Sequence, residues 1–207
     1  MKPWLFDILA CPIDKNFPLK LYILSFETSL KFFHDIFDTY KKKDLEFIKN
    51  ENIIDISKQD KDIFIRDNIV IEKKHIRDYI ELIIASIDEI KNINVEAVDE
   101  IIRKCFNLID KNIKSNITKF VKLKELDDIN KILPDLYFLN KIKIETEILS
   151  GILFCKECNR WYPIIDTIPQ MLPDEYRNEK EEVEFLKSNK HLLNDKFIKQ
   201  DLKPFNI

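Results

Sequence analysis

An α+β fold is what this sequence predicts, with its β part assembled from the two chain ends and a large helical domain inserted between them. Two observations carry the prediction. Cys155-Lys-Glu-Cys158 lies between apolar runs of strand character, and its only counterpart, Cys11-Pro12-Ile13-Asp14, lies 144 positions earlier (155 − 11). The stretch between them is dominated by apolar residues at helical spacing. A C-x-x-C turn puts both sulfurs on one side, as two of four tetrahedral zinc ligands require, so the other half of such a site must come from the opposite end of the chain. The prediction is therefore a discontinuous zinc-ribbon-like domain of residues 1–27 and 146–175, a helical insertion domain of residues 28–145, and a charged helical tail of residues 176–207.

Element by element, Trp4, Leu5, Ile8 and Leu9 predict a turn or short helix ahead of the Cys11–Asp14 loop. Leu19, Leu21 and Ile23 alternate as a strand does. Residues 30–40 carry Leu30, Phe33, Ile36, Phe37 and Tyr40 on one helical stripe, and residues 75–91 carry Ile76, Tyr79, Ile80, Ile83, Ile84, Ile87 and Ile90. A third helix is expected from an Asn94 cap through Val98, Ile101, Ile102, Cys105 and Ile109. Residues 63–71 read as a hairpin turning at Asp67-Asn68. Leu126, Ile129, Ile132 and Leu133 read as a short helix ended near Pro134. Beyond it, Ile142, Ile144, Thr146 and Ile148 alternate as a strand, Ser150-Gly151 reads as a turn, and Ile152–Phe154 and Trp161–Ile165 read as strands flanking the Cys155–Cys158 knuckle. The prolines of Thr167–Pro173 block helix there and predict an extended apolar segment. The tail begins acidic, from Asp174 to Glu184.

Composition excludes whole classes of function. Gly151 is the one glycine in 207 residues, so no phosphate-cradling glycine loop, dinucleotide fingerprint or nucleophile elbow can be built, and a self-contained enzyme using a nucleotide-derived cofactor is not expected. The 34 basic and 37 acidic residues balance to a net charge of −3, which argues against a uniformly basic nucleic-acid surface. The N-terminal apolar run is short and interrupted by Asp7, unlike a signal peptide or membrane span. A soluble cytoplasmic protein with reduced cysteines is the expectation.

The metal-ligating candidates are Cys11, Cys155, Cys158 and Asp14. Asn159, just after the second knuckle cysteine, tolerates the left-handed backbone that such turns use. Asp14 stands where a second C-x-x-C would place its last cysteine. It either ligates through oxygen, giving a Cys3Asp site, or stands by while water, a histidine or nothing fills the fourth position; the first is the reading adopted. A harder oxygen ligand lowers affinity relative to four thiolates and leaves room for partial occupancy. Cys105 falls on an apolar helical stripe and reads as core, and His34, His75 and His191 lack ligand spacing or a catalytic partner. Lys41-Lys42-Lys43 reads as a solvated helix end.

The two ends together resemble a known family. Leu5-Phe6-Asp7-Ile8-Leu9-Ala10-Cys11-Pro12 is similar to its N-terminal signature. Phe154-Cys155-Lys156-Glu157-Cys158-Asn159-Arg160-Trp161-Tyr162-Pro163-Ile164, with Asp166-Thr167-Ile168-Pro169-Gln170-Met171-Leu172-Pro173, is similar to its C-terminal one. The family is the small zinc-binding activator subunit shared by several methyltransferases of eukaryotes and archaea, number one-twelve of the tRNA-methyltransferase series, whose short bacterial relatives carry the two ends with almost nothing between. The resemblance covers residues 1–24 and 150–175 in motif detail, and its longer members carry a helical insertion. It implies a non-catalytic partner of class I S-adenosylmethionine-dependent methyltransferases acting on tRNA, rRNA or translation release factors. Such a subunit covers an apolar surface of the enzyme and pairs a strand with its sheet. Cys11, Cys155 and Cys158 carry over as zinc ligands. The departure at Asp14 bears on zinc occupancy, and some relatives hold the fold by packing alone.

The partner-binding candidates are then Ile164, Ile168, Pro169, Met171 and Leu172, an apolar extended segment beside the metal-stapled turn. The plainer reading packs that segment on the chain's own helical insert. Two further functions stay in view. A free-standing zinc-ribbon nucleic-acid-binding accessory protein requires a basic face, and an enzyme built on the metal requires an open coordination position with a general base nearby.

Overall fold

The computed structural model describes residues 1–60, 62–122 and 128–206. A one-turn helix α1 (Pro3–Phe6) leads through the Cys11 loop to strand β1 (Lys20–Phe26), helices α2 (Leu30–Lys42) and α3 (Leu45–Asn50), and strands β2 (Asp55–Gln59), β3 (Asp62–Arg66) and β4 (Lys74–His75). Helix α4 (Ile76–Glu89), strand β5 (Ile93–Asn94) and helices α5 (Glu100–Asn107), α6 (Lys114–Lys122) and α7 (Leu133–Asn140) follow. The chain closes with β6 (Ile148–Phe154), β7 (Trp161–Ile165), β8 (Ile168–Pro169), α8 (Glu179–Asn189) and α9 (Asp195–Ile198). Among the described residues no helix is long and apolar enough to cross a membrane.

Two compact units result, one from the described residues of Met1–Thr28, Asn92–Asp99 and Glu147–Ile207, the other from those of Ser29–Lys91 and Glu100–Thr146. Two segments fall differently from the division expected. Residues 92–99 leave the insertion because β5 pairs parallel with β1, Leu21 opposite Ile93. The tail, expected to stand apart, belongs to the first unit.

In that unit the sheet runs β5-β1-β6-β7-β8. β1 and β6 pair antiparallel from Lys20 opposite Phe154 to Phe26 opposite Ile148, so the ends of the chain meet along a whole strand. The N-terminal ammonium adds a hydrogen bond to the Ile148 carbonyl at 2.7 Å and an ion pair with Glu147 at 2.9 Å. Period-2 alternation buries Leu19, Leu21 and Ile23, while Tyr22 and Leu24 turn to the opposite face. That second face is covered by the tail: Leu186, Leu193, Phe197 and Leu202 pack on Leu24, Ile152, Phe154 and Trp161. Phe197 sits 4.7 Å from the Tyr22 ring and 5.5 Å from that of Phe154, centre to centre. Burying side chains of this size is worth about 1.5–3 kcal/mol each, which is why so charged a segment docks.

Gly151 is no turn. It lies within β6, and a Cβ there would meet the Tyr22 carbonyl oxygen at 2.8 Å and Ile164 Cδ1 at 3.3 Å. The position needs a missing side chain so that β1 and β7 can both close on β6.

In the second unit, side chains cap the helices where the chain turns in. Ser29 accepts from Phe32 N–H at the start of α2, Asp44 from Phe47 N–H at α3, and His75 Nδ1 from Arg77 N–H at α4. The stripes of α2 and α4 are buried at Phe33, Ile36, Tyr79, Ile80, Ile83 and Ile87. Four expectations fail between residues 63 and 146, the first of them in the Asn92–Asp99 segment of the first unit. Asn94 lies in β5 and bonds Glu96 N–H at 3.0 Å, so the third helix begins at Glu100. The hairpin is β2–β3, not 63–71. Asp67 is instead a buried anchor, accepting from Ile69 N–H, Val70 N–H, Tyr79 Oη and Asn140 Nδ2, the last two at 2.6 and 2.7 Å. Leu126 lies outside the described residues, and Pro134, expected to end a helix, sits in the first turn of α7, where a missing N–H costs nothing. Of the residues expected as strand, Ile142 and Ile144 lie in a wider helical turn, Lys141–Glu145, that continues α7, and Thr146, extended at its end, caps it by donating to the Ile142 carbonyl at 2.6 Å.

Asp135 on α7 is buried with Tyr40 Oη at 2.8 Å and Asn116 Nδ2 at 3.2 Å, and burial pushes its carboxyl above the ordinary 3.8. A carboxyl raised in the folded state gives a stability contribution that is present below the unfolded-state value and is lost as pH rises through the folded one. Asp135→Asn keeps an oxygen for both donors, and its urea midpoint is expected to fall less than that of the unmodified chain between pH 4 and pH 7. Gly151→Ala is expected to destabilise by about 1–3 kcal/mol through overpacking between strands, read as a lower urea midpoint with an unchanged slope.

Candidate metal centre

Two turns of like construction build the centre. In the first, Cys11 N–H donates to the Asn16 carbonyl at 3.0 Å and Lys15 takes a left-handed φ of 61°. In the second, Cys155 N–H donates to the Arg160 carbonyl at 2.8 Å and Asn159 takes φ 57°. Both turns close from the first residue to the fifth beyond it and put the left-handed residue at the fourth. Asp14, three beyond Cys11, therefore occupies the position that Cys158 holds three beyond Cys155. Asn159 meets the left-handed conformation expected of it; Lys15 adopts it with a side chain that folds back, Nζ donating to the Pro12 carbonyl at 2.8 Å.

The ligand atoms of Cys11, Asp14, Cys155 and Cys158 all lie within 4.8 Å of one another. Cys11 Sγ and Cys158 Sγ are 3.7 Å apart, and Cys155 Sγ is 3.4 Å from Asp14 Oδ2. A tetrahedral ion with zinc's bond lengths needs sulfur–sulfur edges of about 3.8 Å and sulfur–oxygen edges of about 3.5 Å. The four residues fit such an ion, and the cluster could hold one. Cys11 and Cys155 are fully buried, Cys158 is half-buried, and Asp14 is exposed, so the open side of the cluster is the carboxylate's.

Burial and hydrogen bonding move the ligands' charge states in opposite directions. Burial, first among its causes, pushes the Cys155 thiol up to about 12 and raises that of Cys158, so both stay protonated at neutral pH unless a metal displaces the proton. Asp14 goes the other way: the Asn16 N–H, at 3.0 Å, leads the hydrogen bonds that lower it to about 2, so it presents a carboxylate at any physiological pH. Arg160, beside Cys158, donates to both oxygens of Asp174, Nη2 to Oδ2 at 2.8 Å and Nε to Oδ1 at 3.2 Å. Two residues with no signal in the sequence contact the sulfurs. Tyr162 Oη lies 3.3 Å from Cys11 Sγ, and Asn16 Nδ2 lies 3.6 Å from Cys155 Sγ. Only strand register could have found Tyr162. Cys105 belongs to the second unit, buried 3.9 Å from the Phe33 carbonyl, with its thiol pushed up to about 12 by burial.

The segment named for partner binding divides. Ile164 is fully buried, its Cδ1 against the Gly151 position, so it faces inward. Pro169 and Met171 are half-buried, whereas Ile168 is 59 % and Leu172 42 % exposed. Asp166 and Thr167, with φ of 47° and 68°, make the tight turn that folds β8 back along β7 at the sheet's edge.

Because metal and fold are linked, chelation is expected to lower the melting temperature of the unmodified chain and of Cys105→Ser, but to leave Cys155→Ser unchanged. Thermal melts with and without chelator check this; equal responses in all three proteins would mean that the cluster holds no metal.

A family model described as Trm112p-like protein matches residues 2–166, so both turns of the cysteine centre lie inside the match. No characterised protein and no solved structure matches the chain. The matched segment is 165 of the 207 residues (166 − 2 + 1), and the chain belongs to the Trm112p-like family, whose members are activator subunits of methyltransferases.

Proposed function

We propose that this chain is a non-catalytic activator and stabilising subunit of class I S-adenosylmethionine-dependent methyltransferases that act on tRNA, rRNA or translation release factors. The family match supports the role. The observation that carries the mode of binding is β8, an edge strand with its outer backbone groups unpaired by any named strand and with Ile168 and Leu172 exposed beside it. An open edge with apolar side chains pairs with another sheet, the backbone supplying affinity and the side chains selectivity. Trp4, Ile8, Ile13 and Phe17, 40 to 66 % exposed, add apolar surface from the N-terminal segment of the same unit. A zinc ion held by Cys11, Cys155, Cys158 and Asp14 would fix both turns and so the strands that lead from them. The resulting complex is a heterodimer in the cytoplasm, in which RNA is met through the enzyme.

Co-expression with the methyltransferases of the same cell tests this. A stoichiometric heterodimer is expected, with methylation by the pair and none by this chain alone. Ile168→Lys combined with Leu172→Asp, both at exposed positions, is expected to abolish co-purification while shifting the chain's own melting temperature little. Turnover by the isolated chain, or RNA recovered without any methyltransferase, would overturn the reading.

A further inference from the structure

Tyr162 has no part in the function proposed above. It lies on β7 at 0 % exposure, and the hydrogen-bond contact its hydroxyl makes is with Cys11 Sγ, 3.3 Å away. A buried phenol needs a partner, and this partner changes character with the state of the centre. As a thiol, Cys11 can donate or accept. As a metal-bound thiolate it can only accept, so the Tyr162 hydroxyl must donate, in a charge-assisted bond stronger than its neutral counterpart.

The surroundings hold that orientation. The Arg177 guanidinium is centred 5.1 Å from the Tyr162 ring and stacks also on Trp161 and Phe205, each at 5.5 Å. Its own side chain is fully buried, bonded to the Trp161 carbonyl at 2.7 Å and paired with Glu182 of α8. A cation over an aromatic face draws density from the ring and makes the hydroxyl a better donor to an anion. Three thiolates and a carboxylate around one dication leave the centre net negative, and Cys11 is its ligand furthest from solvent together with Cys155. Asn16 reaches Cys155; Tyr162 reaches Cys11.

We infer that Tyr162 is a positioning residue of the metal centre, donating a hydrogen bond to the Cys11 thiolate, with its ring fixed by Arg177 from the C-terminal tail. This rests on the metal reading of the four ligands. Losses of outer partners of metal ligands cost about 10- to 100-fold in metal affinity. Tyr162→Phe in the full chain, with Tyr22→Phe as a control on the opposite sheet face, is therefore expected to bind zinc at least about tenfold more weakly in competition with a chromophoric chelator. Its cobalt(II) form is expected to show a shifted thiolate-to-cobalt charge-transfer band, which a loss of packing alone would leave in place. Tyr22→Phe should match the unmodified chain in both. Equal zinc affinity and an unshifted band in Tyr162→Phe overturn the inference alone, whereas failure of the unmodified chain to take up either metal overturns it together with the metal reading. Should Tyr162→Phe fold poorly, the unmodified chain with 13C at tyrosine Cζ gives the same answer. One of its six tyrosine resonances should move on zinc addition, and none moving overturns the inference.

Discussion

The antiparallel pairing of β1 with β6 is the constraint on which the first unit depends. It joins Lys20 to Phe154, 134 positions apart (154 − 20), and the two ligand-bearing turns lie just before the first of those strands and just after the second. Closing so long a loop costs only slowly more than closing a short one. The single glycine sits in the middle of this pairing because three strands crowd there, and the N-terminal ammonium is drawn into it by Ile148 and Glu147.

At the centre, two turns of one construction present four ligand positions, and a substitution at one of them changes its chemistry without changing its geometry. Asp14 keeps the place of a knuckle cysteine, but is harder, charged at any physiological pH, and exposed. The thiols of Cys155 and Cys158 resist ionisation through burial, so metal uptake must release protons, and affinity is a compromise between that cost and the attraction of a ready carboxylate. Such a site suits a structural staple, with its ligands all supplied by the protein, more than a catalytic ion with an open position.

The tail touches both the sheet and the tyrosine beside the centre. Its charge pattern suggests a solvated helix, yet its apolar residues cover one face of the sheet and its Arg177 bonds the Trp161 carbonyl of β7, the strand that leaves the second knuckle. With that face covered, Ile168 and Leu172 stay exposed beside the β8 edge. The β8 edge is the feature on which the proposed strand pairing rests.

Local pattern determined a good deal. C-x-x-C spacing, the Cys-Pro-x-Asp echo of it, the stripes of α2 and α4 and the left-handed Asn159 are all set by neighbours within a few residues, and short-range geometry suffices to read them. The sequence also ruled out glycine-loop cofactor chemistry, because the lack of glycine is a global fact of composition. Tertiary structure decided the rest. Ile142 and Ile144 alternate with Thr146 like a strand but wind as helix up to Glu145, since burial next to α7 outweighs a pattern that abundant isoleucine produces by chance. Gly151 became a close approach because two other strands press on it, Asp67 an anchor because Tyr79 and Asn140 converge on it, and Ile164 a core residue because of its register. The contact of Tyr162 with Cys11, 151 positions away, exists only once β7 is in the sheet, and no local pattern could announce it.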